Sequence, residues 1–111
     1  HWIWFIFPQI AGLGRSETAK KFAIGSLEEA SAYLDHDILG PRLVQCCRTL
    51  LELEERSISR IMGYLDDLKL CSSMTLFSRI DSGPSIFGEV LEAFYDGQPD
   101  QLTLDLLSGK A

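Results

Sequence analysis

The longest uninterrupted apolar run in this chain, Trp2 to Phe7, is only six residues. A helix needs roughly 20 apolar residues to cross a bilayer, and no positively charged leader precedes the run, so neither membrane insertion nor export is expected. Cysteine is sparse and odd in number. Cys46, Cys47 and Cys71 lack metal-ligand spacing, and adjacent helical positions point about 100° apart, which gives the expectation of a reducing, cytoplasmic setting. Basic residues are also few: ten Lys plus Arg stand against sixteen Asp plus Glu, a formal charge of -6. That balance disfavours a nucleic-acid polymer or an anionic membrane as partner. His36 sits between Asp35 and Asp37 with no second His at ligand spacing, so it reads as a local cap and surface charge pair, and no metal or other cofactor is expected. Repeats, low-complexity stretches and linkers are missing too, which predicts one domain over residues 1–111.

What is present is the composition of a folding domain. Of the 111 residues 46% are apolar and 23% charged, far from the profile of a disordered chain. A domain of this size buries roughly 60 to 70% of the surface its unfolded chain exposes. The chain opens on His1 rather than Met and on its most hydrophobic residues, which raises the expectation of a further segment ahead of it.

Punctuation falls often, and between the stops the spacing is helical, so the expected fold is all-α: short helices packed as an irregular orthogonal bundle. Gly12-Leu13-Gly14-Arg15-Ser16 predicts a bend, with Ser16 capping a helix over 17–24 that Gly25 stops. Ser26-Leu27-Glu28-Glu29 fits a capping box opening a helix to about Asp35. Pro41 belongs in a first helical turn, and the segment from there to Glu55 carries Leu43, Cys46, Cys47, Leu50 and Leu51 on one face. Ser57 and Gly63 bracket another short helix. Asp66 or Asp67 is expected to cap a helix from Leu68 to about Ile80, broken by Asp81-Ser82-Gly83-Pro84. A helix carrying Ile86, Phe87, Val90, Leu91 and Phe94 follows, and Asp100 caps a last one that Gly109 closes.

Three features are candidates for chemistry. Trp2 to Phe7 is either one helical turn or an extended strap, since a continuous apolar run has no period to decide it. Its aromatics either plug the core or present an indole, Trp4, to stack on a planar ligand beside the amide of Gln9. Arg15, ahead of a helix start, is either a solvated turn residue or an anion contact. On the helix from Leu68, positions 70, 74 and 77 share the inward face, while Lys69, Ser72 and Ser73 share a flank just after Asp66 and Asp67. That flank, with Thr75, either holds a small anionic ligand or is capping acids, a solvated Lys and small residues that admit a neighbouring helix. A Ser and Lys dyad is a remote third reading.

These motifs are also distinctive as strings. His1-Trp2-Ile3-Trp4-Phe5-Ile6-Phe7-Pro8-Gln9, Leu13-Gly14-Arg15-Ser16, Tyr33-Leu34, Leu39-Gly40-Pro41-Arg42-Leu43 and Asp67-Leu68-Lys69-Leu70, followed by Ser72-Ser73-Met74-Thr75-Leu76-Phe77, resemble the domain-of-unknown-function 1810 family over essentially the whole chain. The resemblance implies a mainly helical bacterial cytoplasmic protein with another helical segment ahead of His1, and no established activity. A fainter similarity, in the order of features from His36 to Ile80, is to the NADAR (YbiA-like) proteins, which cleave N-glycosidic bonds.

The expected function is binding of a small nucleotide-like or anionic planar ligand between the segment 2–15 and the flank 69–75. Trp4 stacks, Gln9 hydrogen-bonds, Arg15 and Lys69 balance charge, and Ser72, Ser73 and Thr75 supply hydroxyls. If the protein is an enzyme, N-glycosidic cleavage is the reaction to expect, with Asp66 or Asp67 steadying positive charge. The alternative is a noncatalytic interaction or structural module, and a homo-oligomer is compatible with either.

Overall fold

The computed structural model describes residues 2–14, 16–81 and 85–109. Its elements are all helices: α1 Ile3–Ile6, α2 Glu17–Lys21, α3 Leu27–Asp35, α4 Leu39–Glu52, α5 Ile58–Met62, α6 Asp66–Ser78, α7 Ile86–Tyr95 and α8 Gln101–Leu107. The expected all-α class holds. Among the described residues the sole β feature is an isolated parallel bridge between Ile10 and Ile24.

The apolar run takes the helical option. Turn α1 buries Ile3 and, just past its end, Phe7, while Trp2 and Phe5 stay exposed. Arg42 Nη2 donates to the Phe5 carbonyl at 2.7 Å, fastening this turn to α4. Beyond Pro8 the chain runs alongside residue 24, with Ile24 N donating to Gln9 O and Ala11 N to Ile24 O, both at 2.8 Å. That bridge explains why α2 stops at Lys21 and not at Ile24 as expected: the Ile24 amide is committed to another strand of chain. Gly14 is needed here, since a Cβ would stand 2.3 Å from Ala19 Cβ.

Caps follow the expected residues with informative departures. Ser16 Oγ accepts from Ala19 N, and Ser26 Oγ from Glu29 N. Glu29 completes its box one residue early, taking the Gly25 amide at 2.8 Å. His36 caps α4 through Nδ1, which accepts from the amides of Ile38 and Leu39 at 3.1 and 3.2 Å. Helix α4 ends at Glu52, short of the expected Glu55, where Arg56 Nη2 takes the Leu51 carbonyl. The largest correction is at α6. Neither Asp66 nor Asp67 is its N-cap; both lie inside the first turn, behind Leu65 with φ 79° and ψ -45°. The expected break at 82–84 falls outside the described residues.

Helix α6 is the axis of the molecule. It packs against α1, α3, α5, α7 and α8, and eight of its thirteen residues are buried, including Asp67, Ser72, Ser73 and Thr75. Leu70, Met74 and Phe77 face the core as the spacing predicts. Phe77 stands between Tyr33 of α3 and Phe87 of α7, with ring centroids 5.6 and 5.5 Å away.

Candidate functional site

Three separated stretches meet at the start of α6 and wall a recess of about 340 Å³. The N-terminal loop brings Trp4, Gln9, Leu13 and Gly14; the start of α6 brings Leu68, Lys69 and Ser72, with Leu65 just ahead; the start of α8 brings Asp100 and Leu102. The volume lies at the small end of ligand sites, room for one ring system.

Gln9 forms the floor. It is 8% exposed, pinned by the bridge to residue 24, and its Oε1 accepts from the indole Nε1 of Trp4 at 3.0 Å. An indole nitrogen only donates, so this contact fixes which end of the amide faces it. The Gln9 N–H2 group is left without an acceptor among the described residues, inside a residue that is otherwise buried. Lys69 closes one side. Its ammonium lies 4.6 Å from the centroid of a Trp4 ring and 3.6 Å from Asp66 Oδ1, a cation–π contact of about 0.5–1 kcal/mol at a partly exposed site.

The far side is built on Asp100. Its Oδ2 caps α8 by accepting from Thr103 N at 3.0 Å and Thr103 Oγ1 at 2.6 Å, and it also accepts from Ser72 Oγ at 3.2 Å. Thr75 Oγ1 receives the Asp100 amide at 2.8 Å, locking α8 against α6. The other carboxylate oxygen, Oδ1, accepts from no described residue. Around the mouth stand the half-exposed side chains of Leu65, Leu68 and Leu102, and Tyr64, next to Leu65 in the chain, is 81% exposed. Leu65 reaches this rim from a backbone conformation that costs a bulky residue about 1–3 kcal/mol.

Of the residues expected from the sequence, Trp4, Gln9, Lys69 and Ser72 are brought together. Ser73 and Thr75 are not. Ser73 is wholly buried and its Oγ has no hydrogen-bond partner; the Thr75 hydroxyl is spent on Cys71 O and the Asp100 amide. Asp67 turns away from the recess, accepting from Ser59 Oγ and Leu68 N at 2.8 Å each. Asp66 stays beside Lys69 without lining the space. Arg15 lies outside the described residues. Asp100 was legible in the sequence only as a helix cap, because nothing local reveals that α8 starts against Ser72.

A larger groove of about 1050 Å³ runs between the ends of α4 and α6 and the start of α7, carrying Arg79, Asp81, Glu89 and Glu92. None of its lining residues is buried, so its polar groups are solvated with or without a ligand. The smaller recess is the better candidate because buried polar groups face into it. Among the described residues no group of three or more His, Cys, Asp and Glu is arranged to hold a metal ion, and no helix is long and apolar enough to cross a membrane.

Comparison with known proteins agrees with the architecture. The crystal structure of the conserved hypothetical protein Rv1873 from Mycobacterium tuberculosis is similar with a TM-score of 0.93 at 51% identity, across 97% of this chain and 77% of that one. No curated protein matches. Nothing in these likenesses bears on the fainter similarity to the NADAR proteins. The sequence matches "Protein of unknown function (DUF1810)" over residues 1–107, so the chain belongs to the DUF1810 family.

Proposed function

We propose that this domain binds a small, planar, anionic or nucleotide-like ligand in the recess between the N-terminal loop, α6 and α8. One observation carries the reading: a nine-tenths buried glutamine, Gln9, faces the recess with its amide N–H2 unpartnered. The group opens onto the recess and not the sealed core, so a ligand acceptor exchanges for water at a donor whose direction is already fixed, a net gain of about 0.5–1.5 kcal/mol. The leucines at the mouth cover the faces of a ring, and Lys69 offers an ammonium to an anionic substituent. With one described cation lining the space, and that cation already shared with Asp66, a single charged group suits the site better than a chain of phosphates. If the ligand is turned over, N-glycosidic cleavage is the reaction to try, and the carboxylate best placed in the recess is Asp100. Three free thiols suit a reducing cytoplasm.

Thermal denaturation against nucleoside monophosphates and aromatic carboxylates tests the proposal. A ligand at a hundred times its Kd stabilises the native state by about 2.7 kcal/mol. Both Lys69→Ala and Trp4→Ala are expected to abolish the shift. A wild-type protein that no member of the panel stabilises defeats the ligand reading.

A second reading draws on Tyr64 and the half-exposed Leu65, Leu68 and Leu102, an apolar rim suited to a protein side chain. In that case the domain is a noncatalytic interaction module, and self-association seen by sedimentation would be weakened by Leu68→Glu.

A further inference from the structure

We infer that the recess reads the hydrogen-bonding edge of a nucleobase, with the Gln9 amide as donor and the Asp100 carboxylate as acceptor. This rests on the ligand-binding reading above and narrows it to a chemical class. The polar inventory of the walls leads there. Gln9 is held in one orientation because its Oε1 is tied to the Trp4 indole at 3.0 Å, so what it offers is N–H only. Asp100 is held by two bonds to Oδ2 from Thr103, with Ser72 Oγ, whose one proton is shared with the Leu68 carbonyl, 3.2 Å away, so what it offers is the acceptor Oδ1. Both residues line the recess, and neither group has another partner among the described residues. Fixed donors and acceptors discriminate because a mismatched ligand that covers them leaves them unpaired and cut off from water.

A ligand that satisfies both must present an acceptor and a donor while lying flat between leucine side chains. The pairing edge of a nucleobase does so, with a ring or carbonyl acceptor next to an N–H. A simple aromatic carboxylate has the flat ring and the charge for Lys69 but no donor for Asp100. The roughly 340 Å³ of space holds a base, leaving its sugar and phosphate toward the leucine-lined mouth.

The test uses the whole chain and isothermal titration with guanosine and uridine monophosphates, their counterparts methylated on the ring N–H, and 2-naphthoate. At least one unmodified nucleotide is expected to bind at least tenfold more tightly than its methylated counterpart. Asp100→Asn keeps an oxygen for the helix cap and turns the recess-facing acceptor into a donor. It is expected to weaken the same nucleotide at least tenfold, although removing a negative charge should by itself favour an anion, and to leave 2-naphthoate no weaker. Equal binding of methylated and unmethylated nucleotides, or an Asp100→Asn protein that binds nucleotide as well as wild type, overturns the inference. If binding is nevertheless lost in Lys69→Ala, the recess reading survives. Binding of 2-naphthoate without any nucleotide separates the two in the same way, and no binding by any probe defeats both. Should Asp100→Asn fail to fold, the methylated pair in the wild-type protein decides alone.

Discussion

At the scale of single residues, two side chains sit where stability alone would not put them. Ser73 is buried at the centre of the bundle with an unpartnered hydroxyl, whereas Ser72, Thr75 and Ser78 each return theirs to a carbonyl of their own helix. Removing the orphan in Ser73→Ala is expected to stabilise the fold by about 1 kcal/mol, read as a higher urea midpoint at unchanged slope; a loss of that size would mean the hydroxyl is bonded in solution. Leu65 is the second. Its φ of 79° suits glycine, and with half its surface exposed it gives up little burial on truncation. Leu65→Gly is therefore expected to gain about 1 kcal/mol of stability while weakening ligand binding at the rim. A destabilised Leu65→Gly protein would show that the side chain holds the corner in place.

At the scale of elements, the helices were legible from their stops and spacing, and the ends of α2, α4 and α6 were not. The period of α6 identified Leu70, Met74 and Phe77 as core but could not say what covers the other side of the helix. In the fold that side is also packed, so the expected polar flank divides: Lys69 and Ser72 reach the recess, and Ser73 and Thr75 become close-packing positions. The junction of α3 and α4 depends on a glycine for the same reason of proximity. A Cβ on Gly40 would fall 1.9 Å from the Leu34 carbonyl oxygen, a backbone atom that cannot rotate aside. Gly40→Ala is expected to cost about 3 kcal/mol or more, measurable by chemical denaturation; a cost below about 1 kcal/mol would mean the two helices can separate freely.

At the scale of the whole molecule, the chain has a radius of gyration of 13.0 Å, close to the ~13 Å of a compact chain this long. Its interior carries acidic protons that folding protects. Burial, with Cys46 alongside, pushes the Cys47 thiol from an ordinary 9.0 up to about 12. Burial, then the nearby Asp100 carboxylate, pushes Cys71 up to about 11. The Tyr95 hydroxyl, which donates to the Asp67 carbonyl, is raised as well, chiefly by burial. Groups raised on folding keep their protons when the unfolded chain loses them, so their contribution is complete below pH 9 and declines as pH climbs from 9 through 11 and beyond. The urea midpoint is expected to fall over that interval, less steeply in Cys71→Ala. A midpoint flat from pH 9 to 11 would contradict it.

The sequence by itself determined the helical class, the positions of most caps and stops, the apolar faces and the family, because each depends on chemistry within a turn or two of chain. Only the tertiary structure decided that α6 is enclosed, that Gln9 is buried with its amide turned outward, and that Asp100 joins Lys69 and Trp4 around one space. Those outcomes depend on which distant segments lie against one another, and spacing along a helix specifies a direction without specifying what stands there.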